Sequence, residues 1–324
     1  MLELGNLLEL TLAGSAPVEP LQLAPSGARL QWLGEGALRV TPAQGCDTGL
    51  DLVLSAGVHG CEVIPIQLLD RLVKAIARGD IRPHARLLLL FCSVPAMRAG
   101  TRLCGEDLNR LFCGAHRHGL SAEARRAADL EGLVADFFAE PGRVRRHYDL
   151  HSAMRASLLE QFAIYPWVDG CPVSADSLQR LAAAGVSGVL VKEKGSSTFS
   201  AYSATRHAAE AFTLEMAEAP DDAWPECLEA FLRAASAWIE GDDPRTDKVP
   251  LLFRLAAEVI KSSDDFRLRL PVDIENFAPL PPGTLVAEEG DRCWLIEQAQ
   301  ARVLFPLPDA AVGDRAALIV EPWR

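Results

Sequence analysis

Short apolar runs spaced along the chain limit its fold more than any other feature: residues 52–56, 87–94, 148–150, 162–165, 189–191 and 212–214. Each is brief and mostly apolar, the pattern of a strand covered on both faces, so we read them as buried parallel strands. Between them the period changes to that of a helix. Ile66, Leu69, Val73 and Ile76 recur at helical spacing, and Leu130, Val134, Phe137 and Phe138 do so behind Ser121, a suitable N-cap. Leu228, Phe231, Leu232, Ala235 and Ile239 mark a further helix that stops at Gly241. Strands alternating with helices predict an α/β chain with a doubly wound mixed sheet flanked by helices, whose ligands bind beyond the carboxyl ends of the strands.

Past the polar stretch at 241–248 (GDDPRTDK) the texture becomes short alternating segments, such as Phe266, Leu268 and Leu270, separated by PLPPG, EEGD and PLPD turns. This predicts a main domain over 1–248 and a smaller β-rich domain over 249–324.

The chemistry-bearing residues stand at predicted strand ends. His59 and Glu62 lie three apart in GVHGCE, where Gly57 and Gly60 let the backbone turn tightly, and imidazole and carboxylate are both good zinc donors. Alone, HxxE is a weak signal, since a surface pair or a capping Glu produces it as well. His151 follows the third strand behind Asp149, which can orient it. Two histidines, one carboxylate and an open fourth position form the pattern of a catalytic zinc site. Glu215, apolar on both sides in AFTLEM, is a candidate general base. Arg102, Asn109 and Arg110 make a cationic loop suited to a substrate carboxylate and to a developing oxyanion. His116 and His118 resemble a metal pair, but their polar, Gly-flanked loop favours exposure; His84, His147 and His207 have no partner visible in sequence.

Charge narrows the partners. The 32 basic and 44 acidic residues give a net charge of −12 with no basic block, which argues against nucleic acid or an anionic membrane surface as a partner. Eight scattered cysteines without a CxxC pair read as reduced thiols. No apolar stretch is long enough to span a bilayer, and the N-terminus lacks a basic region ahead of an apolar one, so the expected compartment is the cytoplasm. A homo-oligomer is compatible with the sequence.

In order, GVHGCE, EDLNR, DLHSA and AFTLEM resemble the succinylglutamate desuccinylase and aspartoacylase family, relatives of the zinc carboxypeptidases. The likeness runs over residues 40–322, and IKSSDDFRL, ENFAPLPPGTLVAEEGD and VLFPLPDAAVGDRAALIVE resemble its desuccinylase branch. The resemblance implies a carboxypeptidase-like fold, one zinc on His59, Glu62 and His151, and Glu215 as general base. It implies Arg102 on the scissile carbonyl, Asn109 and Arg110 on an amine-side carboxylate, and Tyr202 and Arg206 as further substrate contacts. The family usually has Asn where this chain has Cys61, whose side chain is not itself a ligand. The implied reaction cleaves N-succinyl-L-glutamate, a small anionic acylated amino acid, to succinate and glutamate, closing a succinyl route of arginine breakdown. Hydrolysis of another acylated acidic amino acid, such as N-acetylaspartate, and a non-catalytic binding module on the same fold stay open.

Overall fold

A computed structural model describes residues 2–153, 155–192, 195–219 and 224–323. Helix α1 (Leu7–Ala13) precedes three antiparallel strands, β1 (Leu21–Leu23), β2 (Arg29–Gly34) and β3 (Ala37–Thr41), which bury Leu30, Leu38 and Val40. Alternating units follow: β4 (Leu50–Ala56), α2 (Val63–Arg78), β5 (Arg86–Phe91), α3 (Val94–Ala99), α4 (Ala122–Phe137) and β6 (Val144–Ser152). Then come β7 (Phe162–Tyr165), α5 (Ala175–Ala183), β8 (Gly188–Val191), α6 (Phe199–His207), β9 (Glu210–Met216) and α7 (Glu226–Ile239).

All six apolar runs are strands. The run at 87–94 ends at Phe91, because Pro95 opens α3 directly behind Ser93 at the N-cap position. The Ser121 hydroxyl accepts from the Ala124 N–H at 3.0 Å and caps α4. Side chains alternate between faces. Leu52 and Leu54 of β4 join Leu68, Tyr148, Phe212 and Trp238 in the core beneath α2 and α7. Val53 joins Leu88, Leu90, Phe112, Val134 and Phe199 beneath α4 and α6.

The main sheet has twelve strands in the order β1-β2-β3-β5-β4-β6-β9-β7-β8, continued by β10 (Leu251–Ile260), β15 (Arg315–Pro322) and β14 (Arg302–Leu304). Strands β5, β4, β6 and β9 run parallel. Strands β7 and β8 correct the parallel expectation, since β7 runs antiparallel to β9 and β8 runs parallel to β7. Among the described residues no helix lies between β6 and β7, and without a long crossover a chain cannot return parallel. The winding reverses beside β4, with β5 on one side and β6 on the other, so the carboxyl ends of β4 and β6 open at the switch point where such sheets bind ligands.

The tract beyond 249 holds a second antiparallel sheet, β11 (Arg267–Leu268), β12 (Leu285–Glu289) and β13 (Arg292–Leu295), over a core that includes Val259, Phe266, Leu270, Val286 and Ile319. It is also joined to the main sheet. The first residues of β10 pair in parallel with β8, from Leu251 opposite Gly188 to Arg254 opposite Val191, and β10 then runs on past the end of β8 along β15. No described helix is long and apolar enough to cross a membrane, and all eight cysteines are free thiols.

Candidate metal centre and active site

At the end of β4 the backbone turns through Gly57, which has φ +68°. A Cβ on Gly60 would stand 2.0 Å from the Ala96 carbonyl carbon, so only glycine lets this turn press onto α3. That close fit aims His59 and Glu62 inward. His59 Nδ1 lies 2.7 Å from Glu62 Oε1. Glu62 Oε2 accepts from the Ser152 N–H at 3.1 Å and lies 3.1 Å from His151 Nδ1. His59, Glu62 and His151 are all buried, and each offers a donor atom within 4.8 Å of the other two.

Both imidazoles are held from behind. Asp149 Oδ2 lies 3.0 Å from His151 Nε2, and Asp107 Oδ1 lies 3.3 Å from His59 Nε2. A carboxylate on the rear nitrogen fixes ring orientation and leaves the front nitrogen for a cation. Asp149 is fixed in turn: Ser55 Oγ donates to its Oδ1 at 2.6 Å, and His147 lies between Ser55 Oγ at 2.8 Å and Ser203 Oγ at 2.7 Å. Because the Ser55 proton goes to Asp149, Ser55 accepts from His147 Nε2–H, and the Ser203 hydroxyl donates to His147 Nδ1. One directed chain of hydrogen bonds therefore runs from α6 to the Asp149 carboxylate, which also accepts from His151 Nε2–H.

Electrostatics divide the two buried glutamates. Burial would raise Glu62, but the flanking His151 and His59 outweigh it and hold the carboxyl well below the usual range. Burial also opposes charge on His151, yet Asp149 and Glu62 drive its pKa up. Glu215 stands opposite His151 in the β6–β9 register, and burial with the nearby Glu62 charge pushes it up to about 7. A carboxyl that can hold or release a proton near neutrality thus lies beside an ionised one. Burial raises Asp107 too, but the His59 contact and the Arg110 charge bring it down to about 2.

The arginine loop reaches the same place. Arg102 Nη2 lies 3.2 Å from His59 Nε2 and Arg102 Nη1 lies 3.3 Å from Glu62 Oε1. The Asn109 side-chain oxygen accepts from the Phe199 N–H at 3.0 Å, tying this loop to the start of α6. Arg110 is exposed, with Nε 3.9 Å from Asp107 Oδ2. Tyr202 and Arg206 both lie on α6. The helical face bearing Tyr202 turns toward α4, where its hydroxyl donates to the Glu131 carbonyl at 3.1 Å, and Arg206 is exposed in the last turn of α6. His118 is exposed, whereas His116 is half-buried with Nδ1 3.8 Å from Glu131 Oε1.

Known proteins carry the same organisation. The model of the succinylglutamate desuccinylase/aspartoacylase catalytic domain matches residues 48–239, and that of the AstE/AspA barrel-sandwich hybrid domain matches 249–323. The chain belongs to the succinylglutamate desuccinylase/aspartoacylase family. Within this family, a succinylglutamate desuccinylase of Ectopseudomonas mendocina is 50% identical over 99% of this chain and 98% of its own. One from Pseudomonas aeruginosa is 48% identical over all of both chains. The crystal structure of a succinylglutamate desuccinylase from Chromobacterium violaceum superposes with a TM-score of 0.85 at 34% identity, covering 98% of each chain. Beside Cys61, the departure from the family pattern, the Glu62 carboxylate is held by the Ser152 N–H and the two histidines.

Proposed function

We propose that this chain is a zinc-dependent amidohydrolase that cleaves N-succinyl-L-glutamate to succinate and glutamate. The observation that carries the reading is the end-to-end 50% identity to a succinylglutamate desuccinylase, because the pocket residues alone do not choose among acylated acidic amino acids. The donor set supports a metal: two imidazole nitrogens and a carboxylate oxygen converge, and both rings are oriented from behind by carboxylates. His59, Glu62 and His151 would hold one zinc ion, whose chemistry when bound is Lewis acidity and a lowered pKa of water.

The protein's own groups supply the rest. Glu215, poised near pH 7, accepts the proton of the attacking water and passes it to the leaving amine. Arg102, beside His59 and Glu62, stabilises the charge that grows on the scissile carbonyl oxygen. Asn109 and Arg110 seat a carboxylate of the amino-acid half. We take 1–248 as the catalytic domain and 249–324 as a β-rich domain. The eight free thiols support a cytoplasmic setting, in which the reaction would close a succinyl route of arginine breakdown.

A substrate panel on zinc-loaded wild type and Glu215→Gln tests this reading, using succinylglutamate, succinylarginine, acetylaspartate and acetylglutamate. Succinylglutamate should be hydrolysed fastest, and the variant should keep its zinc while losing roughly 10² to 10⁴ in kcat. Preference for acetylaspartate would move the chain to the aspartoacylase branch. Loss of zinc from the variant would make Glu215 a ligand instead of the base.

A further inference from the structure

Glu215 has a cross-strand partner on each side, His151 of β6 and Phe162 of β7. Because β9 lies between these two strands and β7 runs antiparallel to it, the connection from β6 to β7 has to cross the carboxyl end of β9. It leaves the sheet at Ser152, whose N–H donates to Glu62, and re-enters opposite Glu215. Both of its ends are thus fixed at the catalytic edge.

The middle of this connection is held from the C-terminal tract. Arg155 Nη1 donates to the Val272 carbonyl at 2.7 Å and to the Ile274 carbonyl at 3.1 Å. Asn276 donates its N–H to the Ala156 carbonyl at 2.9 Å and accepts from the Leu158 N–H at 3.0 Å, so that Ser157 and Asn276 form a parallel bridge. Ala156, Leu158 and Glu160 are exposed, so burial alone does not fasten the segment. We propose that Arg155 and Asn276 form a clamp through which the C-terminal tract positions residues 155–161 across the carboxyl end of β9, making both of them positioning residues for the reaction at Glu215. The inference rests on the reading of Glu215 as the base of an amidohydrolase.

The tract holds Asn276 in place with bonds of its own. Asn276 is fully buried, its side-chain oxygen accepts from the Phe305 N–H at 2.8 Å, and the next residue, Phe277, donates its N–H to the Val303 carbonyl at 2.7 Å. Phe277 and Phe305 have φ of +62° and +51°, a left-handed backbone that bulky residues keep only where the surrounding structure dictates it. Their rings meet the strand beside the base. Phe277 lies edge-on to Phe162 with ring centroids 4.9 Å apart, and Phe305 lies 5.8 Å from the same ring. The residue that clamps the segment and the rings that press on Phe162, the partner of Glu215, are therefore fixed to one another.

Amide hydrogen exchange on metal-free protein and turnover by zinc-loaded protein test the clamp, using Arg155→Met, Arg155→Lys and Asn276→Ala. Arg155 is only half-buried, so its variants decide the matter even where Asn276→Ala does not fold. In Arg155→Met, exchange at the Leu158 amide should quicken about tenfold or more, while β4 and β6 stay as protected as in wild type. On the amide that wild type cleaves best, kcat should fall about tenfold or more with KM changed by less than about threefold, and the zinc content should be unchanged. Folded Asn276→Ala should behave alike. Arg155→Lys keeps a donor for the same carbonyls and should recover most of both losses; no recovery would overturn the clamp. Unchanged exchange at Leu158 would overturn it as well, and because that measurement needs no turnover it stands apart from the functional reading. Faster exchange with unchanged kcat and KM would overturn the positioning role. So would a rise in KM at unchanged kcat, which would make Arg155 a substrate contact.

Discussion

His147 shows how much a single residue behind the site constrains. Buried between the Ser55 and Ser203 hydroxyls, its imidazole is held by burial down to about 4, against an ordinary 6.5. The folded-state value is the lower one, so between pH 6.5 and 4 the unfolded chain binds a proton that the folded chain refuses. Stability is therefore lost as the pH falls through that window, by on the order of 3 kcal/mol once both values are passed. In urea unfolding of metal-free protein, His147→Gln should flatten the acid limb between pH 6.5 and 4, even though it lowers stability at pH 8. An unchanged slope would mean that other groups set the acid sensitivity. Asp149 behind His151 was visible in sequence, but the Ser55–His147–Ser203 part of the network was not, because Ser55 and His147 stand 92 positions apart and only the pairing of β4 with β6 joins them. His59 and Glu62 were visible because three positions of one turn suffice to bring them together. Asp107 lies 48 positions from His59 and was missed as its rear partner, although it stands inside a motif that was recognised.

Among the elements, the six core strands and the helices with a clear apolar stripe were legible, since burial on both faces or on one writes itself into the period. Strand direction was not: β7 and β8 have the apolar texture of β4, β5, β6 and β9 yet run opposite to them, because the short connection after β6 turns the chain around. Nor did local texture reveal that β10 and β15 continue the main sheet, because partners at such separation leave no mark on each other's composition. The orientation of Tyr202 and Arg206 was out of reach for a related reason. Motif spacing places both on α6 but does not set which way the helix faces. The contact of α3 with the ligand turn yields a prediction at this scale. Gly60→Ala must displace backbone, with a Cβ 2.0 Å from the Ala96 carbonyl carbon, so it should cost about 2 kcal/mol or more and weaken metal binding. Gly132→Ala, exposed within α4 with nothing within 4 Å of its added Cβ, should stabilise by up to about 1 kcal/mol. Thermal melts with and without zinc decide both, and a neutral Gly60→Ala would show that the turn does not depend on its fit to α3.

On the scale of the whole molecule, the metal donors sit at the edge of a core that does not need them. The apolar clusters on both faces of the sheet close around β4, β6 and β9 independently of any cation, unlike small domains that fold only on metal. Removing metal should therefore abolish turnover and spare the fold. The central claim, a single-metal hydrolase acting on succinylglutamate at His59, Glu62 and His151, is tested most directly by titrating zinc into chelator-treated protein while following succinate release. Activity should start at zero with the far-UV circular dichroism intact, rise linearly, and level off at one zinc per chain. Full turnover by the metal-free protein, or a plateau at any other stoichiometry, would contradict the account.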